Sequence, residues 1–276
     1  MPRSRLLIPT PLLSIVVAVL GLAGASVHAG EQTDQYELYK QAVAAGDLHT
    51  AIVHARNAYL IAERERGPKD EQTGILAFNL GVLNFELGRF RDSQIALAKA
   101  VPIYQAAYGP DDERLIVPLA KLAEAHQSLE EWTEAERYYV RAIQIIEAKR
   151  GRDDLQLGLI LGQLAQVAEG LGESKRVRSY GLRAISILTA AGTDDPIAIA
   201  NLHVPVAHAE LVLGNARQAR KHTERAVELY ESVLAPDDPS MLRVYAFAAE
   251  IYERTGKDAT ARKYRHLIRD AEKKSE

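Results

Sequence analysis

Apolar positions recur along this chain at steps of three and four, as in Leu97, Ala100, Val101, Tyr104 and Ala107. That is the period of a helix with one face turned to a core. The pattern itself returns at a fixed interval. Gly46, Gly88, Gly172, Gly214 and Gly256 fall on a progression with a step of 42 residues, and Glu130 occupies the missing place. Five residues beyond each term stand Ala51, Ser93, Ala135, Val177, Ala219 and Ala261. Seven further on come Ala58, Ala100, Ala142, Ala184, Ala226 and Ile268. Eight before each term are Leu38, Leu80, Leu122, Leu164, Val206 and Ala248, followed by Tyr39, Gly81, Ala123, Ala165, Ala207 and Ala249. Columns in phase over six copies define a tandem repeat.

Each column has a mechanical meaning. A glycine at the corner of a helical hairpin supplies the positive φ that ends the first helix. Small residues allow two helix backbones to approach closely, and the Leu/Val column fills the space between neighbouring hairpins. The connections repeat as well: Gly67-Pro68-Lys69-Asp70, Gly109-Pro110-Asp111-Asp112, Gly151-Arg152-Asp153-Asp154, Gly192-Thr193-Asp194-Asp195-Pro196 and Ala235-Pro236-Asp237-Asp238-Pro239. A glycine closes one helix and an aspartate caps the next, so the paired aspartates are read as caps rather than as a metal or acid–base site. Pro196 and Pro239 suit a first helical position. Pro118 lies near a helix start, whereas Pro102 and Pro205 are expected to bend their helices or open a turn. Each copy yields helices of about 17 and 19 residues, about 25–28 Å long.

These columns resemble the tetratricopeptide repeat, on Leu80-Gly81, Gly88, Phe90, Ser93 and Ala100 in copy two and Leu122-Ala123, Trp132, Ala135, Tyr139 and Ala142 in copy three. The longer period and the Gly-Pro-Asp-Asp linker are similar to the repeats of kinesin light chains, over roughly residues 33–274. The resemblance implies an all-α, right-handed superhelical solenoid of six helical hairpins, with the first helices lining a concave face. Copy four departs most, with Val177 and Gly181 in place of Ala and an aromatic, and copy six carries Arg265 at the aromatic column. In the last helix Tyr264, Leu267, Ile268 and Ala271 form an inward stripe opposite Arg262, Lys263, Arg265, Arg269, Lys273 and Lys274, so this helix is expected to cap the stack.

The resemblance also nominates a peptide groove built from Phe78, Asn79, Phe85, Lys121, Gln163, Gln166, Asn201, His208 and Arg243. An Asn at the Asn79 position often holds a peptide backbone in this family, because an amide both donates and accepts. Phe78 and Phe85 are expected to form an apolar pocket there, or else to pack between copies one and two. The basic set that clamps a C-terminal carboxylate in chaperone-binding members is not reproduced.

Ahead of the repeats, Arg3 and Arg5 precede sixteen uncharged residues, Leu12 to Val27, and then Val27-His28-Ala29. This is the layout of a secretory signal, giving a signal segment at 1–29 and the repeat array at 30–276. The alternative is an uncleaved membrane anchor, for which sixteen residues are short. Residues 30–276 hold 32 Lys and Arg against 37 Asp and Glu, and this mild negative charge argues against nucleic acid as partner. The absence of cysteine excludes disulfides, thiolate zinc sites and a cysteine nucleophile, and it suits export.

Motifs for chemistry are sparse. There is no phosphate loop, no Gly-x-Ser-x-Gly elbow and no His-Glu-x-x-His. His208-Ala209-Glu210 opens like a zinc-deaminase motif, but the cysteines that motif requires are missing. His49/His54 and His203/His208 are five apart, a spacing that does not share a helix face, and are read as surface or groove residues. No cofactor or metal is expected. The sequence therefore points to a non-enzymatic scaffold of the periplasm or cell envelope that binds a protein or peptide, with membrane contact only if the N-terminal segment is retained. A membrane-tethered adaptor is the alternative, and an enzyme with an unrecognised site a more distant one.

Overall fold

Helix and turn alternate through the computed structural model, which describes residues 30–193 and 195–275. The signal segment expected at 1–29 lies outside the described residues. Twelve α-helices follow one another as six hairpins: α1 (Gly30–Ala44) with α2 (Leu48–Arg66), α3 (Glu71–Glu86) with α4 (Phe90–Tyr108), α5 (Ile116–Ser128) with α6 (Trp132–Lys149), α7 (Leu155–Gly170) with α8 (Ser174–Ala190), α9 (Pro196–Val212) with α10 (Ala216–Glu231), and α11 (Pro239–Arg254) with α12 (Asp258–Ser275). A 3₁₀ turn, Glu113–Leu115, leads into α5. The hairpins form two compact units, 30–151 and 152–275, of three hairpins each. No described helix is long and apolar enough to cross a membrane.

The punctuation works as the columns predict. Gly46, Gly88, Gly172, Gly214 and Gly256 have φ between 70° and 81°, and Glu130, the missing term, takes the same left-handed conformation at φ 60°. Asp70, Asp112, Asp154, Asp195 and Asp238 each accept from a backbone N–H in the first turn of the following helix. These groups have no partner within the helix, so each cap supplies one that water would otherwise provide. Pro196 and Pro239 begin α9 and α11. Of the two outcomes expected at Pro102 and Pro205, no turn is opened: α4 and α9 run through them. Buried neighbours on both sides, Val101 and Ile103 in α4 and Val204 and Val206 in α9, hold the helix together across the lost hydrogen bond.

The small columns lie in the core of each unit. Ala51, Ser93, Ala135, Ala219, Ala58, Ala100, Ala142, Ala184 and Ala226 are fully buried. A Cβ on Gly81 would lie 2.6 Å from Leu97 Cγ, so this position admits no side chain without movement of α4. Leu80, Leu122, Leu164 and Val206 are buried, but Leu38 is 40% exposed. The difference fits a column that packs against the preceding hairpin, since α1 has none before it among the described residues. The irregularity in copy four has its explanation in the same contact: a Cβ on Gly181 would collide with Val206 of α9. Val206 thus fills the room an aromatic would have occupied. In the last hairpin Tyr264, Leu267 and Ile268 pack on the core of α9–α11, and Ala271 is buried, as the inward stripe requires.

Candidate functional site

In the first unit the candidate residues lie on α3 and α5, at the positions left over once the hairpin and inter-hairpin columns are assigned. Phe78 and Phe85 are two turns apart on the side of α3 that faces α4. Phe78 meets Tyr104 at a centroid distance of 6.3 Å, and Tyr104 meets Tyr108 at 5.6 Å. Phe85 instead meets Phe90, at 5.3 Å, by the hairpin corner. The two rings thus meet different aromatic partners within hairpin two.

Asn79 differs in kind. It is 1% exposed, yet neither its Oδ1 nor its Nδ2 has a hydrogen-bond partner, and Gln72 Oε1, two turns away on the same face, also lacks one. An unmet buried amide is costly, so it marks a place where a partner group is wanted. On α5, Lys121 Nζ is 2.8 Å from Glu124 Oε2 and 5.5 Å from the centre of the Phe85 ring. Burial raises the Glu124 carboxyl above its ordinary pKa, Lys121 opposes the shift, and the nearby Glu86 adds to it. α3 thus carries an unsatisfied amide, and α5 a lysine held over an aromatic ring with two acids in proximity. Such a surface can pair with backbone amides and with a cationic or donor side chain.

In the second unit the candidates divide. Gln163 and Gln166 are half-buried on α7, and His208 Nδ1 lies 3.7 Å from Glu169 Oε1. Asn201 is already engaged, accepting from the Tyr230 hydroxyl, and so offers less to a ligand. Arg243 is exposed and donates to Ser240 Oγ at 3.1 Å.

Other polar clusters were not legible in the sequence. His203 is not a surface or groove residue: it is buried between α9 and α10, with its Nδ1 2.8 Å from His222 Nδ1. Burial, together with His222 and Arg225, lowers its pKa to about 3. His126, Glu131, Gln94 and Arg91 form a network linking α4, α5 and the loop before α6, in which His126 Nδ1 to Glu131 Oε2 is 2.7 Å. Apart from His126 and Glu131, which are five residues apart, the partners are 19 to 40 residues apart and leave no local signal. Only the repeat register, which places α9 against α10, could have suggested the histidine pair. Among the described residues no three of His, Asp and Glu are grouped to hold a metal.

The hairpin geometry and the columns agree with a match of the chain to the tetratricopeptide-repeat family over residues 41–106, 113–190 and 198–264. The chain belongs to the tetratricopeptide-repeat family. Solved structures with this fold include BtubC (BKLC) from P. vanneervenii, 15% identical over 86% of this chain and 92% of that one, with a TM-score of 0.65. A kinesin light chain from Podosopora anserina with nearly identical tetratricopeptide-like repeats is 16% identical, with a TM-score of 0.63, covering 76% of this chain and 98% of that one. The apo form of RapI is 10% identical over 89% and 98%, with a TM-score of 0.64. At these identities the likeness speaks for the fold alone. A search of curated proteins returned no relative. Tetratricopeptide-repeat proteins act in general as protein-interaction scaffolds, which sets the class of function without naming a partner.

Proposed function

We propose that this tetratricopeptide-repeat protein is an exported, non-enzymatic scaffold of the periplasm or cell envelope, and that it receives an extended peptide on the α3–α5 face. The observation that carries the site is the Asn79 amide, buried with both atoms unmet. A peptide backbone presents one donor and one acceptor per residue, the complement of that amide. Lys121 and Glu124 on α5 supply charge of both signs for flanking side chains. The export reading rests on the sequence of residues 1–29 and on the lack of cysteine.

Affinity capture from envelope extract, with Asn79→Ala/Lys121→Ala as control, tests the site. The double variant should lose most of the captured partner while helicity and melting remain as in the parent, and unaltered capture would remove the assignment. N-terminal sequencing of the protein recovered from cells tests the compartment. A start at Gly30 is expected for a cleaved signal, and a retained residue 1 would favour a tethered adaptor.

A further inference from the structure

The charges of the second unit are sorted by layer. Residues 152–276 carry eighteen Lys and Arg and eighteen Asp and Glu, so the unit is neutral in sum. Its three second helices, α8, α10 and α12, nevertheless hold thirteen Lys and Arg up to Lys273 against six acids. The corresponding helices of the first unit, α2, α4 and α6, hold eight against six. Lys175, Arg217, Lys221, Arg262, Lys263 and Arg269 are exposed and form no ion pair with a described carboxylate. An open cleft along α10 is lined by Arg217, Gln218, Arg220, Lys221 and Glu224. The three helices are tied into one layer. Glu210 of α9 is 3.9 Å from Arg178 of α8 and 2.6 Å from Asn215 before α10, and Tyr252 of α11 bonds Glu224 of α10 while its ring meets Tyr264 of α12 at 5.7 Å.

The order of charge along α10 runs against its own stability. The macrodipole favours acids in a first turn and bases in a last one. α10 lacks an acid in its first turn and begins instead with Arg217, while Glu224, Glu228 and Glu231 fall in its later part. α8 begins with Lys175-Arg176, of which Arg176 pairs with the N-cap Glu173 at 2.6 Å. Cations placed where the fold disfavours them point to something outside the fold that binds them. We propose that the α8–α10–α12 layer docks on an anionic phospholipid surface. A neutral unit with its positive charge on one layer is oriented by a charged plane, cations toward the plane and acids away from it. Leu182, 39% exposed on α8, adds an apolar side chain on the same layer. This contact needs no retained N-terminal segment.

Vesicle co-sedimentation of the full chain tests it. Phosphatidylcholine vesicles measure whatever the apolar N-terminal segment contributes, and this is the baseline. Vesicles with about 30 mol% phosphatidylglycerol should bind at least about tenfold more protein at about 0.1 M salt, and raising salt to about 1 M, where screening length falls to about 3 Å, should remove the excess. Arg217→Glu/Lys221→Glu should also remove the excess, whereas Arg56→Glu/Arg89→Glu, the same charge change at exposed positions of the first unit, should retain it. Circular dichroism checks that all variants remain helical, and a second reversal pair, Arg262→Glu/Arg269→Glu, serves if the first does not fold. Equal binding to neutral and anionic vesicles, or equal loss from both reversal sites, would overturn the proposal. Competition by polyglutamate as strong as by anionic vesicles would assign the layer to an acidic protein instead.

Discussion

Glu130 occupies a hairpin corner at φ 60°, where five other corners have glycine. A left-handed backbone crowds the Cβ of any L residue, so this copy carries strain that the others avoid. Glu130→Gly should raise stability by about 1 kcal/mol in urea unfolding, and a loss of stability would contradict the reading of this column. His203 offers a second test at a single residue. Its folded pKa, about 3, lies below the value near 6.5 of an exposed histidine, so the unfolded chain binds the extra proton between those values. Stability should therefore be full above about pH 6.5 and fall as pH drops, by roughly 2 kcal/mol at about pH 5 for this residue alone. His222 faces it with a pKa lowered chiefly by burial and should steepen the slope. Melting curves of His203→Phe should show a shallower slope over this range, and an unchanged slope would mean that the pair does not set it.

At the scale of helices, the sequence was most legible where one residue performs one local task. Corner glycines, linker aspartates and Pro196 and Pro239 act within a few residues of themselves, and all appear in their predicted roles. Asp154 accepts from Gln156 and Leu157 N–H at 2.9 and 3.3 Å, so Asp154→Ala should cost about 1 kcal/mol in denaturant unfolding. Legibility failed where a contact crosses between helices. The gap at Gly181 is explained only by Val206 of α9, and the ring partners of Phe78 and Phe85, Tyr104 and Phe90, lie on another helix. Gly181→Ala replaces a poor helix former by the best one, yet it should destabilise by about 1–3 kcal/mol through overpacking. Val206→Ala in the same chain should relieve it, with a coupling of about 1 kcal/mol or more in a double-mutant cycle. Additive effects would show that the two do not touch.

For the molecule as a whole, the repeat dictated fold and left function to side chains the repeat does not need. Residues in the columns are consumed by packing, and what remains, Asn79, Gln72, Lys121 and Glu124 in one unit and the basic layer in the other, varies from copy to copy. That is why the family could be read from the sequence while only part of the candidate site could. The Asn79 amide has no partner, whereas Asn201 accepts from Tyr230 and the two phenylalanines meet rings of α4. The central claim is that a peptide or protein partner is held on the α3–α5 face. Site-specific photo-crosslinking tests it most directly, with a photoreactive residue placed at Val82, one turn from Asn79, or at Ile95 on the exposed side of α4, in envelope extract. The account predicts a discrete crosslinked partner from position 82, absent from position 95 and lost when Lys121 is changed to Ala. A partner captured only from position 95, or equally from both, would contradict it.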